Sequence, residues 1–453
     1  MGRHAILHNR TLDSSRKEHA AGGPFRNGRA KPAGFVVLWL VIALFGVAGS
    51  GAAKSSVAAS NVDLVHYWTG DLSGGIENMI EEFNRQAAGY SVVPVGLEHE
   101  MFKVGILSRI ASGKKPMLFS YWAGAKVQAL VDAGSVDPLD AIWNTGGLRQ
   151  CFTPAVASAC IYNGRPFAIP VTQHYVAFFY NKRLFASHGL TTPATWTELV
   201  QLCERIASLG VTPIALGNRE RWPAQFWFDY ILLRTAGPQY RQELMQGLRA
   251  YTDPEVRRVF DLWGQLIEKG AFTARPEADD WAGAAGAVRD GTAAMTLMGT
   301  WIIGHYSGDP SWSEGEDYDF FVFPTIDPGV PLAALGPIDV LLKSRGGTSE
   351  AGDTALLFFA GVQAQTAMSR GSGALAPNTG VPGDAYSDMR RRILAATYRA
   401  PHWAFNYDLA TPQSAADIGL GCFSAFLKHP ETIDALLQNT QHRMASIFLP
   451  QTR

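Results

Sequence analysis

The sequence predicts an α/β fold divided into two lobes. Runs of strand length alternate with apolar stripes of helical period, an order typical of a mostly parallel sheet covered by helices on both faces. About 390 residues follow the N-terminal 59, which is more than one hydrophobic core usually serves. A third observation is the segment at 170–206, which reads as a crossover with a strand, a break and a helix in succession.

The N-terminus has the pattern of a signal peptide. Its first 34 residues carry seven Lys or Arg against two acidic residues, and the 13-residue apolar run FVVLWLVIALFGV follows at 35–47. That run is short for a membrane span and small residues come after it, so residues 1–59 are predicted to be a signal peptide cleaved between 50 and 59. The unusually long basic region leaves an uncleaved anchor as the alternative. No Cys follows the run to carry a lipid.

Composition restricts the partners and the chemistry. Without residues 1–59 the chain holds 31 basic and 38 acidic residues, a net charge of −7, which argues against nucleic acid or an anionic membrane as the main partner. Cys151 and Cys160 are near enough in sequence to pair in an oxidising compartment, whereas Cys203 lies on a helical stripe and is predicted to be a buried thiol. The 11 His and 4 Cys form no cluster with the spacing of metal ligands, so neither a metal nor a cofactor is expected.

The first predicted elements alternate between strand and helix. They are strands at 62–68, 91–95 and 117–122, with helices at 76–83 and 102–110 between them. Ligands of parallel sheets bind beyond the carboxyl ends of the strands. Trp68, Glu100 and Trp122 fall at or just after those ends, so the geometry of such a sheet selects them as candidate binding residues.

The crossover segment supplies the next two elements. The aromatic run at 175–180 has strand length and stops at three polar residues, which predicts a strand that ends there. Thr195 and Glu198 form a capping box ahead of an apolar stripe of helical period, so a helix is predicted to begin at this point.

Three segments carry a resemblance to a known family. FFYNKRLFASHGL at 178–190, TPATWTELV at 192–200 and VRDGTAAMTLMGTW at 288–301 resemble the extracellular solute-binding proteins (family 1) of carbohydrate-importing ABC transporters, the maltose-binding-like group. The resemblance extends from about residue 62 to the C-terminus. It implies a two-lobed periplasmic binding protein fold of type II, maltose-binding-like, with the ligand in the interlobe cleft. It also implies a monomer that works in the periplasm with the permease subunits of a membrane transporter.

The resemblance, together with the Gly/Pro-rich break in the sequence, predicts where each lobe begins. After the signal peptide at 1–59, the first lobe is expected at 60–173 and again at 292–375. The second lobe is expected at 174–291 and 376–453. The Gly/Pro-rich segment ALAPNTGVPG at 374–383 marks the last predicted crossing between lobes.

Aromatic side chains are the first candidates for a sugar site, because the C–H faces of a sugar pack on flat π-surfaces. Six of the 12 Trp stand in loop-like or strand-end positions beside polar residues: Trp68, Trp122, Trp222, Trp281, Trp301 and Trp403. The default role of a large aromatic is core packing. Trp263 lies on a helical stripe and is predicted to be core.

Charged and amide side chains would bind the sugar hydroxyls. The candidates are Asp71, Glu100, Lys126, His174, Arg219, Arg221, Gln225 and Asp339. The resemblance implies that the first three of these lie on the first-lobe side of the cleft. A solvated loop is the alternative for the two Arg, and a structural hydrogen bond near the hinge is the alternative for His174. The flanks of Asp339 are apolar, so its carboxylate needs either a ligand hydroxyl or a buried Arg.

Two positions depart from the family pattern. Met117 stands where related chains commonly have Asp, and Thr300 stands where the glucose-binding branch commonly has Asp. The change at Thr300 removes a charged group that binds hydroxyls. The remaining candidates carry both signs of charge, so a neutral mono- or disaccharide is expected rather than an anionic one.

The sequence offers little support for an enzyme. It contains no nucleophile elbow, no zinc-protease motif, no Walker loop and no dinucleotide-binding fingerprint. A glycoside hydrolase needs only two carboxylates facing a cleft, and Glu100 with Asp339 or Asp71 would be that pair. Hydrolysis, and binding of a non-sugar solute such as a polyol or a glycerol phosphodiester, are therefore the alternatives to sugar capture.

Overall fold

The computed structural model describes residues 60–87, 89–347 and 349–448. The predicted signal peptide lies outside the described residues. Within them the strands are β1 (Ser60–His66), β2 (Tyr90–Gly96), β3 (Leu118–Trp122), β4 (Ile161–Tyr162), β5 (Arg165–Pro166), β6 (Ala168–Gln173), β7 (Val176–Asn181), β8 (Thr212–Ile214), β9 (Ala293–Gly299), β10 (Tyr318–Phe321), β11 (Ala333–Leu335), β12 (Ile338–Lys343) and β13 (His402–Ala404).

Helices cover most of the remaining described chain. They are α1 (Ser73–Gln86), α2 (His99–Ala111), α3 (Ala125–Asp132), α4 (Asp140–Thr145), α5 (Pro154–Ala159), α6 (Lys182–Ser187), α7 (Trp196–Ser208), α8 (Gln225–Thr235), α9 (Gly237–Met245), α10 (Pro254–Glu268), α11 (Trp281–Arg289), α12 (Trp301–Tyr306), α13 (Glu350–Phe359), α14 (Val362–Ser372), α15 (Asp388–Arg399), α16 (Tyr407–Ala410), α17 (Gln413–Lys428) and α18 (Ile433–Phe448). Among the described residues, no helix is both long and apolar enough to span a membrane.

The first lobe is built on a five-stranded sheet in the order β2-β1-β3-β12-β6. β1 pairs in parallel with β2 and β3, whereas β12 runs antiparallel to both of its neighbours. All five residues of β3 and all six of β12 are buried, because these central strands are covered by helices on both faces. Trp68 and Trp122 therefore stand at the carboxyl edge of a packed sheet.

The second lobe is built on a four-stranded sheet in the order β10-β7-β9-β8. A separate hydrophobic cluster surrounds it and contains Phe178, Trp227 and Trp263, each of them fully buried. The prediction that Trp263 is a core residue is confirmed. The chain changes sheets between Gln173 at the end of β6 and Val176 at the start of β7.

One predicted lobe boundary needs correction. The first lobe was expected to resume at residue 292, but β9 follows immediately and hydrogen-bonds to β7 and β8 of the second sheet. All seven residues of β9 are buried, and Met295 packs in the core of the second lobe. The return to the first sheet comes with β12 at Ile338.

Local signals place the helix that follows the crossover. The Glu198 amide donates to the Thr195 hydroxyl at 3.3 Å, and the Thr195 amide donates to the Glu198 carboxylate at 3.0 Å. This reciprocal pair is the predicted capping box, and α7 begins directly after it. Cys203 lies buried on the inner face of that helix, as predicted.

The proposed pairing of two other cysteines does not occur in the structure. Cys151 and Cys160 are both free thiols. The half-buried Cys151 directs its sulfur toward the Gly147 carbonyl oxygen at 3.8 Å. Cys160 is fully buried, and that burial raises the pKa of its thiol. Proximity in sequence was therefore a poor guide to pairing, because it says nothing of where the sulfur atoms point.

Candidate functional site

A cavity of about 330 Å³ opens between the two lobes. Its walls combine aromatic, charged and amide side chains. The predicted residues that line it are Trp68, Asp71, Trp122, Lys126, His174, Trp222, Gln225, Trp281, Trp301 and Asp339. The other polar or aromatic side chains in the lining are Tyr67, Thr69, Glu98, His99, Lys103, His305, Ser372, Asn406 and Asp408.

An aromatic cluster forms the first-lobe wall. Trp68 follows β1 and Trp122 ends β3, so the carboxyl edge of the sheet holds both. Tyr67 lies between them, with ring centroids 4.6 Å from Trp122 and 4.7 Å from Trp68. The His99 ring stands edge-on to Trp122 at 5.3 Å. The rings brace one another, so this wall presents a preorganised apolar surface.

Three Trp side chains form the opposite wall. Trp222 and Trp301 pack edge to face at 5.9 Å between ring centroids, and Trp281 packs on His305 at 5.3 Å. The backbone of Arg221 has a φ of 66°, a conformation that costs free energy for a residue with a side chain. That turn leads directly into Trp222 and sets its position. His99 and Trp222 approach to 6.5 Å across the cavity.

Both lysines of the cavity lining have carboxylate partners. Lys126 and Asp408 form an ion pair at 3.0 Å, and their side chains are only 10% and 14% exposed. Asp71 pairs with His305 at 2.9 Å. The remaining contacts are Lys103 to Glu100 at 2.8 Å and Glu98 to the backbone amides that begin α2. The lining therefore carries four carboxylates against two lysines, and a ligand in this cavity meets no unpaired cation.

Asp339 has partners other than the two that were considered from the sequence. The Thr172 hydroxyl donates to its carboxylate, and His174 Nε2 lies 3.2 Å from the same oxygen. Because a carboxylate only accepts, the His174 ring carries a proton on Nε2. Its Nδ1 forms a hydrogen bond with the Thr300 hydroxyl at 2.9 Å. The structural hydrogen bond offered as the alternative for His174 is thus present, and the ring also lines the cavity.

Burial and hydrogen bonds set the protonation of the first-lobe wall. Burial lowers the pKa of His99, which keeps the ring neutral at pH 7. Burial acts against ionisation of Glu100, but hydrogen bonds from His99 and Lys103 outweigh it and lower the pKa of that carboxyl to about 2. Burial, and next the charge of Asp339, raise the pKa of Tyr67. The phenol therefore stays protonated and can donate a hydrogen bond.

Two nearby lysines keep the Asp408 carboxyl group ionised. Burial opposes its charge, but Lys126 and Lys103 outweigh that effect and lower its pKa. Its backbone amide donates to the Gln225 side chain at 2.8 Å. The carboxylate is consequently a fixed acceptor in the cavity wall.

Three buried polar atoms of the lining have no hydrogen-bond partner among the described residues. They are the Tyr67 hydroxyl, Trp222 Nε1 and Asn406 Oδ1. A buried polar atom left unpaired costs free energy. All three belong to neutral groups, so a neutral polar ligand is the natural partner for them.

Four of the predicted residues lie outside the cavity lining. Glu100 contacts it only through His99 and Lys103. Arg219 is half exposed and pairs with Glu220 and Asp280. Arg221 lies 3.8 Å from Asp417 at the surface. The solvated-loop alternative therefore describes both Arg side chains.

Trp403 is the fourth predicted residue that lies outside the cavity lining. Its indole N–H donates to the Gly336 carbonyl at 3.2 Å, and its strand β13 pairs with β11. The aromatic ring packs between the two hydrophobic cores, which fits the default role of a large aromatic.

Several lining residues were missed at the sequence level. Glu98 and His99 directly precede Glu100 just after the end of β2, so the rule that selected Glu100 would also have selected them. His305 stands one helical turn after Trp301. Nothing local marks Asn406 and Asp408, although the candidate Trp403 is close to them in sequence. Within the described chain, no group of three or more His, Cys, Asp or Glu is placed to hold a metal ion.

A family model for bacterial extracellular solute-binding proteins matches residues 69–377 of the chain. The protein belongs to that family. Its members are receptors that bind solutes outside the cytoplasm rather than enzymes. The cavity between the lobes is therefore the candidate solute site.

Known relatives of this solute-binding protein are distant in sequence. It is 26% identical over 342 residues to an uncharacterised ABC transporter extracellular-binding protein of Pyrococcus horikoshii, covering 74% of this chain and 75% of that one. It is 25% identical to a Mesorhizobium japonicum protein named "probable sugar-binding periplasmic protein", over 59% of this chain and 64% of the relative.

A solved structure with the same fold is that of the bacterial solute receptor AcbH, which is described as having an exclusive substrate preference for β-D-galactopyranose. It superimposes with a TM-score of 0.80 at 23% identity, over 86% of this chain and 99% of AcbH. The fold is therefore the two-lobed solute-receptor fold of the maltose-binding type.

Proposed function

We propose that this protein is the carbohydrate-binding subunit of an ABC sugar importer. It captures a neutral mono- or disaccharide in the periplasm, closes its two lobes on it, and delivers it as a monomer to the membrane permease subunits. One relative reported above is named a probable sugar-binding periplasmic protein, and the receptor AcbH is described as preferring β-D-galactopyranose, a neutral monosaccharide.

One observation carries the proposal. The cavity joins aromatic walls to two lysines that already have carboxylate partners and to three neutral polar atoms that have no hydrogen-bond partner among the described residues. Aromatic faces suit the C–H surfaces of a sugar ring, and unpaired neutral donors and acceptors suit its hydroxyls. An anionic ligand would need an uncompensated cation, and Lys103 and Lys126 both have carboxylate partners.

The size of the cavity supports a small ligand. Its volume of about 330 Å³ is at the lower end of the roughly 300–1,000 Å³ of small-molecule sites. One or two sugar rings fit a cavity of this volume better than a longer oligosaccharide does.

Calorimetry of the mature protein tests the proposal. The panel is D-galactose, D-glucose, D-xylose, maltose, D-galacturonic acid, sorbitol and a glycerol phosphodiester. We expect one-to-one binding of a neutral sugar and weak or absent binding of the uronic acid. Binding of the polyol or the phosphodiester alone would reassign the solute, and silence across all the sugars would refute the carbohydrate assignment.

A second measurement guards against a panel that omits the true ligand. Native mass spectrometry of the freshly purified protein reports any solute that remains bound. A neutral saccharide mass agrees with the proposal, whereas an anionic compound contradicts the choice of a neutral ligand. Prolonged incubation with a sugar polymer, followed by chromatography, should yield no cleavage products.

A further inference from the structure

The second-lobe side of the cavity includes a short piece of chain without long regular structure. This wall segment runs from residue 405 to residue 409. Asn406, Asp408 and Leu409 of the segment line the cavity. Its regular structure is limited to three of the four residues of the short helix α16. Something other than its own secondary structure must therefore hold it in place.

A buried ion pair stands directly behind the wall segment. Asp229 of α8 is 0% exposed, and the side chain of Arg241 of α9 is 5% exposed. Arg241 Nε donates to Asp229 Oδ1 at 2.8 Å, and the closest approach of the two groups is 2.6 Å. A buried ion pair gives little net stability compared with apolar packing, so its presence here calls for another explanation.

Both members of the pair also bond to the wall segment. Asp229 Oδ2 accepts the backbone N–H of Tyr407 at 2.8 Å. An Arg241 guanidinium N–H donates to the backbone carbonyl of Phe405 at 2.6 Å. These two backbone groups flank Asn406. The pair therefore fixes the main chain on both sides of Asn406 while it leaves the side chain untouched.

The Asn406 amide is free to bind a ligand. The residue is 5% exposed, and its Oδ1 is buried without a hydrogen-bond partner among the described residues. An amide offers one acceptor and two donors, which matches a sugar hydroxyl that both donates and accepts. Two residues later, Asp408 meets Lys126 of the first lobe, so the same segment also carries a contact between the lobes.

We infer that Asp229 and Arg241 are positioning residues for ligand binding: they hold Asn406 ready to bind a ligand hydroxyl. The identity of the ligand as a sugar rests on the proposed function. The positioning itself rests on contacts that exist without a ligand.

The variant Arg241→Lys tests the inference with little risk to the fold. Lysine keeps the positive charge beside Asp229, but it lacks the planar fork that bonds Asp229 and the Phe405 carbonyl together. Hydrogen–deuterium exchange of the ligand-free protein should show about tenfold faster exchange of the Tyr407 and Asp408 amides, on the scale of one lost hydrogen bond to a charged group. Exchange in β3 should not change.

Binding measurements separate positioning from simple stabilisation. With D-galactose and maltose as probes, Arg241→Lys should weaken the binding of the recognised sugar about tenfold. The same change should have little further effect in the Asn406→Ala background, because the pair acts through Asn406. In the Trp68→Ala background, on the opposite wall, the two effects should multiply.

Each outcome has a defined meaning. Unchanged exchange in the wall segment, or multiplicative effects of Arg241→Lys and Asn406→Ala, would overturn the positioning role. If neither probe bound to the wild-type protein, the assignment of these sugars would fail, while the exchange experiment would still decide the inference. A loss of thermal stability with normal affinity would make the pair purely structural.

Discussion

Replacing Gly299 by Ala should weaken ligand binding without unfolding the protein. Gly299 ends β9, and the Trp301 ring packs directly over its backbone. A Cβ at this position would lie 1.9 Å from Cζ3 and 2.3 Å from Cη2 of that ring. Ordinary contact begins near 3.4 Å, so the ring has to retreat by about 1.5 Å.

The retreat disturbs the second-lobe wall. Trp301 packs edge to face on Trp222 at 5.9 Å and on His174 at 5.4 Å between ring centroids. An aromatic pair contributes roughly 0.5–1.5 kcal/mol beyond the area it buries. The contact of the displaced ring with the ligand is then lost as well, and a buried aromatic contact contributes about 1–3 kcal/mol to binding, which corresponds to about 5- to 150-fold in affinity. Because Trp301 is only partly buried, the fold should persist.

Calorimetric titration with the sugar identified from the panel measures this effect. The matched control is Gly421→Ala on α17, where an added Cβ meets nothing within 4 Å. A thermal melt of each variant monitors folding. Wild-type affinity of the Gly299→Ala variant would refute the reasoning, since it would mean that the position of the Trp301 ring is irrelevant to binding.

Three further outcomes are expected. Trp222→Ala should weaken sugar binding by about 1–3 kcal/mol in calorimetry while circular dichroism stays native; a loss of folding alone would assign the ring to the core. Burial lowers the pKa of His66 from 6.5 to about 4, so the unfolded chain takes up a proton there before the folded chain does. Stability should therefore fall as the pH drops from 6.5 to 4, by up to about 1.4 kcal/mol per pH unit from this residue. Urea titrations at a series of pH values should show that the free energy of unfolding falls less steeply with decreasing pH for His66→Gln than for the wild type. The exposed control His429→Gln should keep the wild-type pH dependence. Since Cys151 and Cys160 are free thiols, a reducing agent should leave the melting temperature unchanged, and a drop would indicate a disulfide.

Sequence reasoning succeeded where the signal is local. The capping box of Thr195 and Glu198 identifies the start of α7, because both partners lie within one turn. The strand-end rule brought Trp68 and Trp122 to one edge of a sheet, because parallel strands share their direction. In both cases the relevant geometry follows from a few neighbouring residues.

Contacts between residues far apart in the sequence could not be predicted in this way. Asp408 meets Lys126 across 282 positions of sequence, and no periodicity connects them. Arg219 looked free for a ligand because its partner Asp280 is 61 positions away. The burial of β9 was readable as an apolar run, but burial does not tell which of two sheets a strand joins. The topology and the charge pairing of the site therefore do not follow from the sequence alone.

The strand order of the first lobe has a consequence for how the protein is made. β12 lies between β3 and β6 and hydrogen-bonds to both, yet it begins 165 positions after β6 ends. During synthesis, β3 and β6 cannot pair with β12 until about three quarters of the chain has been made. The nascent chain thus stays incompletely folded for most of its translation.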